Sequence, residues 1–371
     1  MRVALLSDCY LPRLGGIEVQ VHDLAQALRA AEHEATVITA TPDSAGGGTK
    51  DPNVQRLALP FVLPAGLVAN PLAFGPLRHE LRTGGYDVAH VHMGVVSPFA
   101  MDAVQASLSL GIPTVVTWHC MLAYAVPLIR RLGYVRRWAD RGAVLTAVSD
   151  VAAQPLRDLA DGPVSVLPNG IDPARWAPEP RVRHDDGAVR FVTAMRLARR
   201  KRPHDLVELA ARARATSGAD LRLEILGDGP WRGHLERWIS AHEAQSWVTL
   251  PGRVNRATLH ERYLAADAYI APAELEAFGI AALEARASGL PVIGPRQSGI
   301  TEFVEHGISG LLTDGDDGLV EGLVHLAKDT AVREGIRAHN VSMPIRQQWD
   351  SVVDTSVGAY AQAIRAGSLG R

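Results

Sequence analysis

Short apolar runs rich in β-branched residues alternate with longer runs of helical period along the whole chain, and this alternation restricts the fold to α/β: parallel sheets covered by helices on both faces. In the first half, Val3 to Ser7, Ala35 to Ala40, Val88 to His92, Thr114 to Trp118 and Val144 to Val148 are expected strands. Between them, Glu18 to Ala30 and Ser97 to Leu110 place leucine and alanine every three or four residues, as a helix packed on a sheet requires. Pro168-Asn169-Gly170-Ile171-Asp172-Pro173 opens a proline- and charge-rich stretch reaching about Gly187, the best linker. A second series follows: Val189 to Ala194, Leu221 to Leu226, Val248 to Leu250, Ala268 to Ala271, Pro291 to Gly294 and Gly310 to Thr313. The expected division is a first doubly wound domain over 1–182 and a second over 183–346. A final helix within 347–371 carries Trp349, Val352, Val353, Val357, Tyr360 and Ile364 at helical spacing. Apart from the short Gly46-Gly47-Gly48 loop there is no low-complexity tract.

Composition narrows the function classes. The 371 residues suit two ordinary domains, and 47% hydrophobic against 21% charged residues is the balance of a core-forming protein. A net charge of −2 gives no global field for nucleic acid. Two distant cysteines, Cys9 and Cys120, indicate neither a disulfide scaffold nor a zinc site, which fits a reducing cytoplasm. The first six residues give way to polar sequence, so they are expected to form a strand and not a secretion signal. No apolar run approaches the roughly 18 residues of a membrane span. Lysine occurs only at 50, 201 and 328, arginine supplying the other positive charges, which we attribute to the codon bias of a GC-rich bacterial genome.

Open α/β sheets bind ligands at the carboxyl ends of their strands, and two such domains facing each other form a cleft there. Three loops at such ends carry chemistry. The first strand leads into a loop ending in Gly15-Gly16 just before a helix, where backbone amides at a positive helix end suit phosphate and where the same glycines also serve a plain turn. The loop lacks the G-x-G-x-x-G of dinucleotide sites, which disfavours a nicotinamide or flavin enzyme. After Ala194, Met195 to Pro203 concentrates Arg196, Arg199, Arg200, Lys201 and Arg202, a cluster suited to a diphosphate or, otherwise, a solvated basic loop. After Ala271, Glu276 is expected in a loop, Phe278-Gly279-Ile280 at a helix start, and Glu284 about one turn inside. Eight residues of continuous helix would set those carboxylates about 80° apart, so the loop must aim them. They then either accept hydrogen bonds from sugar hydroxyls or serve as a cap and a surface charge.

Taken together, Gly15-Gly16, His119 after the fourth strand, Arg196 with Lys201, and Glu276 eight before Glu284 resemble the retaining GT-B glycosyltransferases of family four. Ala147-Val148-Ser149, Pro168 to Asp172 and Leu226-Gly227-Asp228-Gly229-Pro230 extend the resemblance over essentially the whole chain. It implies two Rossmann-like domains facing across a cleft, the first binding acceptor and the second a nucleotide sugar, with the terminal helix crossing back. Arg196 and Lys201 would hold the diphosphate with help from Gly15-Gly16, and Glu284 the ribose. Glu276 and the backbone of Phe278, Gly279 and Ile280 would hold the transferred sugar, His119 would meet it near the anomeric centre or its 6-hydroxyl, and Val254-Asn255 would face the base. Same-face attack needs no catalytic carboxylate pair, and no cofactor or metal is implied. Met195 and Ala277 depart from the family pattern, each standing where glycine is common, and Gly299 lacks the neighbouring glycine often seen in the loop after Ile293.

Asn255 offers one acceptor and one donor, which leans towards UDP while leaving GDP-mannose open. The acceptor class stays open between small molecules and lipids. From Val126 to Arg141, arginines interleave with apolar and aromatic residues, as in a helix lying on anionic lipid or one packed on the sheet with a basic outer face. A nucleotide-sugar 2-epimerase and a non-catalytic nucleotide-sugar-binding protein are the alternatives.

Overall fold

A computed structural model describes residues 1–13, 15–42, 51–57, 74–179 and 186–369. The Gly46-Gly47-Gly48 loop and the expected 182/183 boundary lie outside them. The chain forms two compact units, one of Met1–Gly170 with Gln347–Arg371 and one of Ile171–Arg346. Residues 171–179, given to the first domain by the sequence reading, belong to the second unit because Trp176 is buried there against Tyr263 and His260, whose Nε2 meets the Ala177 carbonyl.

The first unit is built on a seven-stranded parallel sheet, ordered β3-β2-β1-β4-β5-β6-β7. Its strands are β1 (Arg2–Ser7), β2 (Glu34–Thr39), β3 (Val54–Arg56), β4 (Val88–Met93), β5 (Thr114–Trp118), β6 (Val144–Ala147) and β7 (Ser165–Val166). Val3, Ala4, Leu5 and Leu6 are all fully buried, the mark of a strand covered on both faces. The edge strands β3 and β7 were not expected, since three and two residues are too few to show a pattern. The helix Trp349–Leu369 closes this unit's core with Val352, Val353, Tyr360 and Ala363.

The second unit holds a six-stranded parallel sheet, ordered β10-β9-β8-β11-β12-β13. Its strands are β8 (Val189–Ala194), β9 (Leu221–Leu226), β10 (Val248–Gly252), β11 (Ala268–Ile270), β12 (Val292–Pro295) and β13 (Gly310–Thr313). Helices Pro203–Ser217 and Gly315–Lys328 cover one face and bury Leu206, Val207, Ala210, Leu319 and Leu323.

The basic stretch after Tyr124 forms two short helices, Val126–Leu132 and Tyr134–Asp140, broken at Gly133 where φ is +62°. Ile129, Tyr134, Val135 and Trp138 point inward, Trp138 lying against Trp118, while the opposite side leaves Leu128 60% and Leu132 49% exposed. Among the described residues, no helix is long and apolar enough to cross a membrane.

Candidate active site

In the second unit the loops after β8 and β9 and the end of β10 are locked together through backbone contacts, Gly227 N–H donating to the Gly252 carbonyl (2.8 Å). Met195 N–H donates to the Leu226 carbonyl (2.9 Å), Leu197 N–H to that of Asp228 (3.0 Å), and Trp231 N–H to that of Leu197 (2.9 Å). Gly227, at φ +120°, lies so close that a β-carbon would run into the Met195 carbonyl, and one on Gly229 would stand 2.5 Å from that of Leu197. The Leu226-Gly227-Asp228-Gly229 segment thus sets the path of the loop bearing Arg196 and Lys201.

The five basic residues have different tasks. Arg196, Arg199 and Arg200 are exposed. Lys201 forms an ion pair with Glu276, both side chains only about one-fifth exposed (20% and 21%). Cation and carboxylate are therefore already joined, and a ligand at this point meets a neutral pair whose members it must share or separate. Arg202 turns away from this pair and holds three carboxylates, Asp205 (3.1 Å), Glu274 (3.1 Å) and Asp316 (2.6 and 2.8 Å). Nothing in the charge run distinguished it from its neighbours.

Glu276 stands in the loop after β11, and Gly279, at φ +89° and ψ 58°, turns the chain into helix Ile280–Ala287. An L side chain is strained there, which accounts for glycine at 279. Phe278 is buried against Phe303, with ring centroids 5.5 Å apart. Gly299 donates its N–H to the Glu276 carbonyl (2.8 Å) and lies so close to the Ala277 carbonyl that no β-carbon fits. Glu284 is half-buried in the helix. Burial first, then the nearby charges of Glu276 and Glu284, hold the Tyr269 phenol protonated well above its ordinary range. Its hydroxyl donates to the Ala194 carbonyl (3.2 Å), so this tyrosine, missed in the sequence, links the end of β8 to the side where both carboxylates act.

Asn255 caps helix Arg256–Ala265, its Oδ1 accepting from Thr258 N–H at 2.9 Å. The cap takes one lone pair of the acceptor expected to face a base and leaves the amide N–H groups of Asn255 for a ligand. Val254 precedes it in the loop after β10. His204, Asp205 and Glu208 bring ligand atoms within 4.8 Å of one another, but Asp205 is engaged by Arg202.

In the first unit, Gly15 precedes helix Gly16–Ala30 in extended backbone, and a β-carbon on it would meet the Glu18 carboxylate. Glu18 is buried and paired with Arg13 (3.1 Å), so the positive helix end already faces an internal carboxylate. Just before this loop, the Asp8 carboxylate accepts from Phe99 and Ala100 N–H (3.0 Å each) at the start of helix Pro98–Ser109. Burial pushes Asp8 up to about 6, against those hydrogen bonds.

His119 follows β5, its Nε2 2.9 Å from Nδ1 of buried His92 on β4. His90, sharing a face with His92, bonds the Tyr360 hydroxyl (2.8 Å) and Thr117 (2.7 Å). Burial pushes His119 down to about 4, opposed by its hydrogen bond with Asn169, and lowers His90 to about 3 and His92 well below its usual range. His119 is therefore neutral at pH 7, and a sugar hydroxyl reaching its ring nitrogens competes with His92 and Asn169. His92 and Asn169 were missed. Alternation along β4, which gives His90 and His92 one face, was the available signal.

The two doubly wound parallel sheets, the second with a cation–carboxylate pair and further arginines at its strand ends, set the fold class against which the relatives are read. Residues 175–340 match the family Glycosyl transferases group 1, and 14–175 match Glycosyltransferase Family 4. The chain is 30% identical to the D-inositol 3-phosphate glycosyltransferase of Pseudarthrobacter chlorophenolicus, over 98% of both chains. It is 28% identical to the phosphatidyl-myo-inositol mannosyltransferase of Mycolicibacterium smegmatis, over 99% of this chain and 95% of that one. Anabaena HepE, solved in complex with UDP and glucose, shares the fold at TM-score 0.76 and 18% identity, over 97% of this chain and 99% of that one. The chain belongs to the family-four, group 1 glycosyltransferases, a retaining GT-B family of hexosyl-transferring enzymes that use a nucleotide-sugar donor.

Proposed function

We propose that the chain moves a hexosyl group from a nucleoside-diphosphate sugar, with UDP as the first nucleotide to test, to a hydroxyl of a small-molecule or lipid acceptor. The Lys201–Glu276 pair carries this reading. A diphosphate would draw Lys201 and exposed Arg196, freeing Glu276 to accept from sugar hydroxyls beside the backbone of Phe278, Gly279 and Ile280, with Glu284 on the ribose. Gly15, Gly16 and His119 are the first unit's proposed contributions. UDP is preferred because the Asn255 oxygen is engaged in the helix cap while its N–H groups match a uracil carbonyl, whereas the N–H edge of guanine needs acceptors. In the transfer, the acceptor oxygen bonds the anomeric carbon on the face the diphosphate leaves, and a departing phosphate oxygen takes the acceptor proton. The side chains supply position and charge stabilisation.

The test is thermal stabilisation by UDP-, GDP- and ADP-sugars on wild type and Glu284→Ala, followed by acceptor screening with the bound donor. A selective shift weakened by the substitution, then a product retaining anomeric configuration, is expected. A free 2-epimer formed without acceptor would replace this reading with an epimerase, and stabilisation with no product would leave a binding protein.

A contact with an anionic lipid surface through 126–141 is supported by Tyr124, Leu128 and Leu132, exposed 92%, 60% and 49%, beside exposed Arg130, Arg131 and Arg137. Cosedimentation with phosphatidylglycerol vesicles, lost in Leu128→Glu, is the expected result. Equal sedimentation of both proteins would remove it.

A further inference from the structure

Arg202 adopts φ +55° and ψ 42°, a left-handed conformation that glycine enters freely and an L side chain does not. A side chain kept in such a place needs surroundings that hold it there. Here they are three carboxylates from three segments: Asp205 in the first turn of helix Pro203–Ser217, Glu274 in the loop after β11, and Asp316 in the first turn of helix Gly315–Lys328.

The contacts run in parallel. Neighbours Lys201 and Arg202 reach alternate residues of one loop, Glu276 and Glu274. We propose that Arg202 is a positioning residue for the sugar-diphosphate site, tying the Glu274 loop to the two helix starts so that Glu276 and Lys201 stay at working distance once a ligand has separated them. This deepens the donor reading above and rests on it. When a diphosphate draws Lys201 away and Glu276 turns to sugar hydroxyls, their mutual link loosens. The Arg202–Glu274 link does not involve those groups and persists. The planar guanidinium suits the task because one rigid fork serves several acceptors, bidentately at Asp316. Without it, Asp205, Glu274 and Asp316 would converge with no cation among them, and their repulsion would push the loop, and Glu276 with it, outward.

The test compares wild type, Arg202→Gly, which frees the backbone while removing the clamp, and Glu274→Gln, which cuts the cross-loop arm and leaves Arg202 on its two aspartates. Affinities are measured for UDP-glucose, GDP-mannose, UMP and GMP, the monophosphates lacking the sugar and the second phosphate. Both variants should bind the sugar nucleotide chosen by wild type about tenfold more weakly, with affinity for the matching monophosphate unchanged. Wild-type affinity for the sugar nucleotide in Glu274→Gln, or equal weakening of both ligand types in both variants, would overturn the positioning role. Wild type binding none of the four would overturn the donor reading itself, and the positioning role with it.

Discussion

The carboxyl ends of β5 and β8 carry side chains of opposite character. After β5, half-buried His119 bonds buried His92, and beside them His90 bonds the Tyr360 and Thr117 hydroxyls, two sets of neutral rings in ring contact through His90 and His92. After β8, exposed arginines lie beside a half-buried pair, Lys201 with Glu276, held by its own attraction and by the Arg202–Glu274 contact beside it. The difference teaches how one fold plan accommodates two demands. A neutral group kept dry needs no counter-ion but loses freedom, whereas a charged pair near solvent is easily recruited by a ligand and needs a scaffold to stay aimed.

The sharpest way to break the comparison is Lys201→Ala. If the β8 side carries the charge chemistry, kcat/KM for transfer should fall at least about a hundredfold, while the β5 side is untouched. A loss within about threefold in steady-state assays would show that the arginines alone suffice.

Scaffold rigidity comes next. Gly299→Ala should destabilise by about 2 to 3 kcal/mol, because its methyl meets the Ala277 carbonyl. Gly335→Ala, in a helix with open space around it, should instead gain about 0.5 to 1 kcal/mol. Chemical denaturation of the two variants measures both.

Acid should act on the β5 side. His119 and His90 bind protons more weakly folded than unfolded, so their contribution to stability is full above the unfolded value of about 6.5 and is lost as pH falls towards the folded values near 4 and 3. His119 alone accounts for about 2 kcal/mol lost between pH 7 and 5. Asp8 opposes this, since its raised folded value near 6 makes lower pH favourable between about 6 and 3.8. Melting temperature should fall from pH 7 to 5 in wild type, less in His119→Phe and more in Asp8→Asn. Identical slopes in all three would refute the buried neutral network.

The smallest effect concerns the base. Asn255→Asp keeps the cap and adds a free carboxylate oxygen, so it should shift preference from UDP- towards GDP-sugar by about threefold to tenfold. Competition titration reads this directly.

Much of this was legible from residue order alone. Periodicity located the longer strands because Val3 to Leu6 and Leu221 to Leu226 are long enough to reveal burial, while β3 and β7 are too short. Glu276 in a loop and Glu284 one turn into a helix followed from Gly279 and the apolar spacing beyond it. What stayed hidden was direction. A run of five cations does not say that Lys201 meets Glu276 while Arg202 turns to Glu274 and Asp316, since that depends on one left-handed residue. Likewise, Asn255 as a helix cap and His92 as the partner of His119 depend on a hydrogen bond to Thr258 and on β4 lying beside β5.

Tyr360, bonded to His90 inside the first unit, has a consequence for how the protein is made. The second unit, Ile171–Arg346, interrupts the first like a parenthesis, so a ribosome must translate the whole insertion before Trp349–Leu369 can emerge and cover the first sheet. Until then, the apolar surface destined for Val352, Val353, Tyr360 and Ala363 stays open in the nascent chain. The interrupted unit begins folding first and finishes last.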